Sequence, residues 1–314
     1  MKEFQDFPAF FFRETGLVLS RDVLLSAYSS FRIGGPADYF IEVRSVAELT
    51  AAVQAARKFH FPFYVIGGGY NLLFDDTGYR GLMIRNRASG LKFIEEKGIL
   101  EVASGTRLAE VVNLAVREGL GGLEFLAGIP GTVGGAIYGN AGAFGQAIGE
   151  RVDEVKLLTG EGQEKSLRQP ELGFGYRHSF LKDHPGIVLK ASLRVQRDDR
   201  NRIQKKVEDY LNQRAQKHPP EGTACAGSYF KNPVLPDGSK IPAGRLLEQA
   251  GARGMRVGQA AVYPGHCNFI VNLGGATCRE VLALAAELKE KVQRQTGICL
   301  QEEVIYVRAD ASML

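Results

Sequence analysis

The segment that most limits what this chain can fold into is residues 128–149, Gly-Ile-Pro-Gly-Thr-Val-Gly-Gly-Ala-Ile-Tyr-Gly-Asn-Ala-Gly-Ala-Phe-Gly-Gln-Ala-Ile-Gly, with eight glycines in 22 positions. Glycine enters positive φ and lets a ligand approach the backbone closely. Successive exposed N–H groups can then form a concave anion site. A second candidate, Gly67-Gly68-Gly69-Tyr70-Asn71-Leu72, follows directly on the apolar run Phe63–Ile66. Either loop alone reads equally as a tight turn in a β-rich domain. As a pair they suit the pyrophosphate of a dinucleotide gripped from two sides. The chain has no G-x-G-x-x-G and no G-x-x-x-x-G-K-[ST], so neither a Rossmann fingerprint nor a P-loop is present.

At 314 residues the chain is long for one hydrophobic core, and two or three domains are expected. A formal net charge of +4 suits small anionic substrates and is too weak to argue for nucleic acid. The cysteines, Cys225, Cys267, Cys278 and Cys299, lack C-x-x-C spacing, which points to reduced cytosolic thiols and away from a zinc ribbon. His266-Cys267 supplies two neighbouring ligand types without partners, so no metal is expected. The phenylalanine cluster Phe10–Phe12 sits among charged residues and does not read as a signal peptide. No apolar run reaches the length of about 18 residues that a membrane span needs.

Residues 1–30 read as an extension with little periodicity. Ala37–Val43 reads as a strand, Ser45 with Glu48 as a capping box opening a helix, and Phe63–Ile66 as a buried strand, a strand–helix–strand start of α/β type. Leu91–Glu96 and Ile99–Ser104 predict a hairpin around Lys97-Gly98. Helical spacing covers 107–118, and 187–195 alternates as a strand. Residues 199–217, rich in Arg, Lys, Asn and Gln, predict a solvated connecting helix with a basic surface. Thr277 and Glu280 form a second capping box, and Glu303–Val307 a closing strand. The expected domains are residues 31–197, the connector 198–217, and 218–314 with its last strand returning to the active site.

Several motifs together resemble the UDP-N-acetylenolpyruvoylglucosamine reductase (UDP-N-acetylmuramate dehydrogenase) family. In order, they are Ser30-Phe31-Arg32-Ile33-Gly34-Gly35-Pro36-Ala37-Asp38, Gly67–Leu73, Gly128–Ala136, Tyr176-Arg177-His178-Ser179, Ala226–Pro233 and Leu300–Val304. His266–Asn272 is similar to the pattern of the shorter subtype. No room is found after Tyr176-Arg177 for the inserted tyrosine loop of the longer one. The resemblance implies an α+β fold: a two-lobed FAD-binding domain of the vanillyl-alcohol oxidase (PCMH) type plus a smaller α/β substrate-binding domain. It implies cytoplasmic reduction of an enolpyruvyl UDP-sugar for peptidoglycan precursors, with NADPH as hydride donor and FAD as carrier. The partners are small molecules; neither nucleic acid nor membrane insertion is expected.

By resemblance the catalytic candidates are Arg177, Ser228 and Glu303. Arg177 would meet charge that develops in the substrate carboxylate. Ser228 would give a proton to the adjacent carbon, helped by Lys231, Lys217 or Arg177. Glu303 would polarise or protonate the carboxylate, with Glu302 on the opposite face of the strand. Candidate cofactor contacts are Gly67, Gly68, Gly69, Tyr70, Asn71 and Leu72, with Gly128, Ile129, Pro130, Gly131, Thr132, Gly134, Gly135, Asn140 and Gly142. Lys217 and Asn232 resemble positions that hold the uridine diphosphate; His266 is either close to the substrate or structural. None of the five histidines falls within residues 62–150, so the FAD is expected to be non-covalent. Departures from the family pattern are Tyr70 for serine, Gly139 for methionine, Phe144 for tyrosine, and Tyr28-Ser29 for Asn-Thr. Two other readings fit the glycine loops: a different flavin oxidoreductase on the same fold, and a flavin- or nucleotide-binding protein without turnover.

Overall fold

The computed structural model describes residues 6–310. The chain forms two compact units, one from residues up to 21, 39–68 and 81–214, the other from residues 22–38, 69–80 and 215 onward.

Two larger sheets carry most of the first unit. One has the strand order Ser20–Leu24, Pro36–Val43, Tyr79–Asn86, Phe63–Ile66, and its last two strands run parallel, with Phe63 opposite Leu82. Helix α1 (Phe7–Thr15) and helix α2 (Val46–Lys58) supply its core: Phe7, Phe11, Leu49, Val53 and Ala56 pack with Ile41, Val43, Leu82 and Ile84. Helix α2 starts where the sequence expects. Ser45 Oγ accepts the Glu48 N–H at 3.1 Å, but the Glu48 carboxylate reaches one residue further back, to Arg44 N at 2.7 Å. Helix α1 falls within the segment read above as an extension with little periodicity, and packs into the core of this unit. Phe7 is fully buried and stacks on Phe61 with ring centroids 3.8 Å apart. The helix is short, carries Pro8 in its first turn, and is stabilised mainly by aromatic burial.

The other sheet is antiparallel, ordered Glu164–Arg168, Val152–Thr159, Gly186–Arg194, Ile99–Ala103, Leu91–Ile94. The expected hairpin is present, with Glu95–Lys97 as a 3-10 turn and Gly98 left-handed. Helix α3 (Leu108–Glu118) and helix α4 (Val133–Tyr138) share its core through Val111, Val112, Ala115, Val133 and Ile137. Helix α5 (Arg200–Lys217) is largely polar, and Ile203 and Val207 are its buried residues.

The second unit centres on helix α6 (Ala243–Gln249), helix α7 (Cys278–Thr296) and the antiparallel strands Arg256–Val257, Ala260–Val262 and Ile270–Asn272. Leu246, Leu247, Val281, Leu284 and Leu288 form the core with Phe230 and Val304. The capping box of α7 is reciprocal, Thr277 Oγ1 to Glu280 N and Glu280 to Thr277 N. The Asp76 carboxylate adds bonds to Cys278 N and Arg279 N at 2.7 and 3.1 Å, where a negative charge meets the positive end of the helix. The closing strand is shorter than expected, Ile305–Val307, and pairs in parallel with Leu72–Phe74. That pairing, with the Asp76 cap, is why residues 69–80 group with the C-terminal part of the chain rather than with 31–197.

Candidate active site

The first glycine loop ends the strand Phe63–Ile66, and the second opens α4. Within the first unit the two meet: a β-carbon on Gly67 would collide with Thr132 Oγ1. The second loop is pinned by Leu108 N to Gly131 O (3.0 Å), Val133 N to Thr106 O (2.9 Å) and Gly134 N to Ser104 O (2.8 Å). Gly131 itself has φ 131° and open space where a side chain would stand. A backbone conformation closed to other residues thus faces room for a ligand.

The rest of the first loop, Gly69 to Leu72, belongs to the second unit. Gly69 has φ 68°, and any side chain there would run into the Tyr28 carbonyl. Ser30 N donates to Gly69 O at 3.1 Å, and Ser29 Oγ to Leu72 O at 3.4 Å. The Tyr28-Ser29 departure therefore still supports the loop. Asn71, expected as a cofactor contact, gives its amide N–H to the Glu303 carbonyl at 3.0 Å, and its own carbonyl accepts Ile305 N at 3.0 Å. Its side chain holds the Glu303 segment in place. Tyr70 is exposed.

Arg177 lies at the second loop. Gly175 and His178 bond each other in both directions, N to O 3.1 and 3.2 Å, closing a two-residue turn over Tyr176 and Arg177. Arg177 takes φ 54°, a conformation that disfavours most side chains, and its guanidinium donates to Gly142 O at 3.4 Å. The turn is tied down by Asn140, whose Nδ2 donates to Gly175 O (2.7 Å) and whose Oδ1 accepts Gly149 N (2.9 Å). Asn140 is buried and left-handed. Its side chain joins the loop to the Arg177 turn.

In the second unit, Ser228, Asn232 and His266 line one cavity of about 320 Å³ together with Arg245, Glu248 and Arg253. Asn232 Oδ1 accepts the N–H of Ala243 at the start of α6 (2.9 Å). Burial pushes the His266 imidazole below its ordinary pKa, and its Nδ1 accepts Asn268 N at 3.2 Å. Ser228 belongs to a segment paired with the last stretch of chain: Glu303 N donates to Tyr229 O (2.7 Å) and Lys231 N to Gln301 O (2.8 Å). Glu303 is thus held one residue from Ser228 across a backbone pairing. Glu302 bonds Lys289 at 2.8 Å. Lys217 and Glu303 do not line the cavity; Lys217 is exposed at the end of α5.

One residue read as plain basic surface stands out. Arg214, half-buried on α5, packs so closely on the second loop that a β-carbon on Gly128 would meet its Cδ and Nε at 2.9 Å. A guanidinium there suits phosphate. The sequence signal was available only as a cation on a polar helix.

A family model for the FAD binding domain matches residues 37–168, and one for the UDP-N-acetylenolpyruvoylglucosamine reductase C-terminal domain matches 218–307. The UDP-N-acetylenolpyruvoylglucosamine reductase of Solibacter usitatus is 39% identical over 307 residues, covering 93% of this chain and 97% of the relative. The chain belongs to the UDP-N-acetylenolpyruvoylglucosamine reductase family. The Moorella thermoacetica member is 41% identical over 293 residues, covering 93% of this chain and 94% of its own. The crystal structure of the Thermus caldophilus UDP-N-acetylenolpyruvylglucosamine reductase superposes with a TM-score of 0.75 at 35% identity, covering 92% of this chain and 98% of that one. As a member of this family the chain is an FAD-dependent oxidoreductase, and its fold is the two-lobed FAD-binding fold with a further C-terminal domain. The two joined glycine loops and the open space at Gly131 fit that cofactor. No helix among the described residues is long and apolar enough to cross a membrane.

Proposed function

We propose that the chain reduces UDP-N-acetylglucosamine enolpyruvate to UDP-N-acetylmuramate for peptidoglycan synthesis in the cytoplasm, with NADPH as the hydride donor. FAD, when bound, carries the hydride between the two substrates. Gly67, Gly68 and the Gly128–Gly142 loop would hold its pyrophosphate through backbone N–H groups, without a covalent link, and Arg214 would add positive charge. Arg177, fixed in its strained turn, supplies a preorganised guanidinium for charge that develops in the substrate carboxylate. Ser228 delivers the proton to the carbon beside that carboxylate. Glu303, braced through its backbone by Asn71 and Tyr229, acts on the carboxylate itself. Lys217 and Asn232 bind the diphosphate portion.

The observation that carries this reading is the cavity in which Ser228 shares walls with Asn232, His266 and two arginines. A serine hydroxyl is a weak acid in water, and nearby cations make its loss of a proton less costly. The test is anaerobic: the flavin-loaded protein is mixed with NADPH and then with the enolpyruvyl nucleotide while flavin absorbance is followed. Bleaching followed by recovery is expected. Flavin that NADPH reduces but the enolpyruvyl nucleotide leaves reduced would overturn the proposal.

A further inference from the structure

The cavity around Ser228 has a charge that the reading above does not use. Of its two arginines, Arg253 is already committed: its guanidinium pairs with Glu248 and also donates to the Pro264 carbonyl. Burial lowers the His266 imidazole pKa and so disfavours its charged form. Arg245 is different. Its side chain is exposed, it lines the same cavity, and no carboxylate among the described residues pairs with it. The cavity walls therefore carry one uncompensated positive charge, and it sits on Arg245.

The position is also fixed. Arg245 follows Gly244 on α6, and a β-carbon on Gly244 would come within 2.9 Å of the His266 ring. Glycine there lets the imidazole close on the helix backbone. Asn232 holds the first residue of the same helix through its side-chain oxygen. So α6 is seated against two cavity residues, and Arg245 projects from a fixed base.

We propose that Arg245 binds the diphosphate of the nucleotide-sugar substrate and sets the preference for a diphosphate-linked ligand. The inference rests on the reading of this cavity as the nucleotide-sugar site. A guanidinium fork matches phosphate oxygens in bidentate fashion, which an ammonium does not. The diphosphate is favoured over the enolpyruvyl carboxylate because Asn232, assigned to the diphosphate above, lines the same cavity as Arg245, whereas Arg177 and Glu303, assigned to the carboxylate, do not line it.

The test uses the FAD-loaded full chain with Arg245→Gln and Arg245→Lys. Arg245→Gln should raise KM for the enolpyruvyl nucleotide about 10- to 100-fold, the range of one charge-assisted hydrogen bond, with kcat within about twofold. Arg245→Lys should recover only part of the loss. Calorimetric titration with UDP and with uridine separates phosphate from base: Arg245→Gln should weaken UDP and leave uridine unchanged, and the difference should shrink at high salt. An unchanged UDP affinity, or an equal loss for UDP and uridine, overturns the proposal. Failure of the wild-type protein to turn over the enolpyruvyl nucleotide would instead sink the reaction assignment, while the UDP and uridine comparison would still decide the role of Arg245.

Discussion

Gly67 and Thr132 stand so close that no residue with a β-carbon fits at Gly67 without displacing the Thr132 side chain. They are 65 residues apart in the chain (132 − 67), and each belongs to a different glycine loop. Their contact turns two separate turns into one surface.

Gly67→Ala should therefore act through Thr132. The added methyl forces the second loop back, and we expect a loss of about 1–3 kcal/mol, as for other overpacked sites, together with most of the bound FAD. Gly67→Ala/Thr132→Ala removes the colliding atoms and should restore part of both. Flavin content after purification and thermal melting measure the two effects. Full FAD occupancy in the single variant would show that the loops bind the cofactor without this contact.

Ser228→Ala should separate the half-reactions. Flavin reduction by NADPH needs no proton on the substrate carbon and should keep its rate. Reoxidation by the enolpyruvyl nucleotide should slow by about 100- to 10,000-fold, the usual contribution of a positioned general acid. Anaerobic stopped-flow reads both steps from one flavin signal. Equal slowing of both would mean disturbed flavin geometry, and unchanged reoxidation would remove Ser228 from the chemistry.

His266 makes stability depend on pH. Its folded-state pKa lies below the ordinary imidazole value, first because of burial. As pH falls below about 6.5, the unfolded chain takes up a proton that the folded cavity resists. Stability is then lost progressively down to the folded pKa and is constant for this group above about 6.5. His266→Gln should reduce the difference in melting temperature between about pH 7.5 and pH 5.5. An unaltered difference would mean that the ring is freely solvated.

Phe7→Ala tests whether α1 is part of the core. Phe7 is fully buried against Phe11, Tyr39, Phe59 and Phe61, and truncation should cost about 3–5 kcal/mol. Chemical denaturation of the FAD-loaded protein provides the measurement. A loss under about 0.5 kcal/mol, typical of surface positions, would return this segment to the status of an appendage.

What the sequence determined by itself is local. Ser45 and Thr277 mark true helix starts because the cap is made within three residues. Phe63–Ile66, the hairpin at Gly98 and α3 follow from periodicity and turn chemistry over short windows. Both glycine loops were visible because clustered glycine marks tight turns and close approach to the backbone. The family motifs put Arg177, Ser228 and Glu303 forward as candidates for the chemistry. Only the tertiary structure decided what those residues lean on. The side chain of Asn71 goes to Glu303 and that of Asn140 to Gly175 and Gly149, contacts that no spacing rule encodes. Helix α1 is buried because Phe7 packs on Phe59 and Phe61, residues that lie far from it in the chain. Arg214 and Arg245 look alike in sequence, two cations on helices. One presses on Gly128 and the other borders the Ser228 cavity, because packing brings together segments whose separation in the chain leaves no local trace.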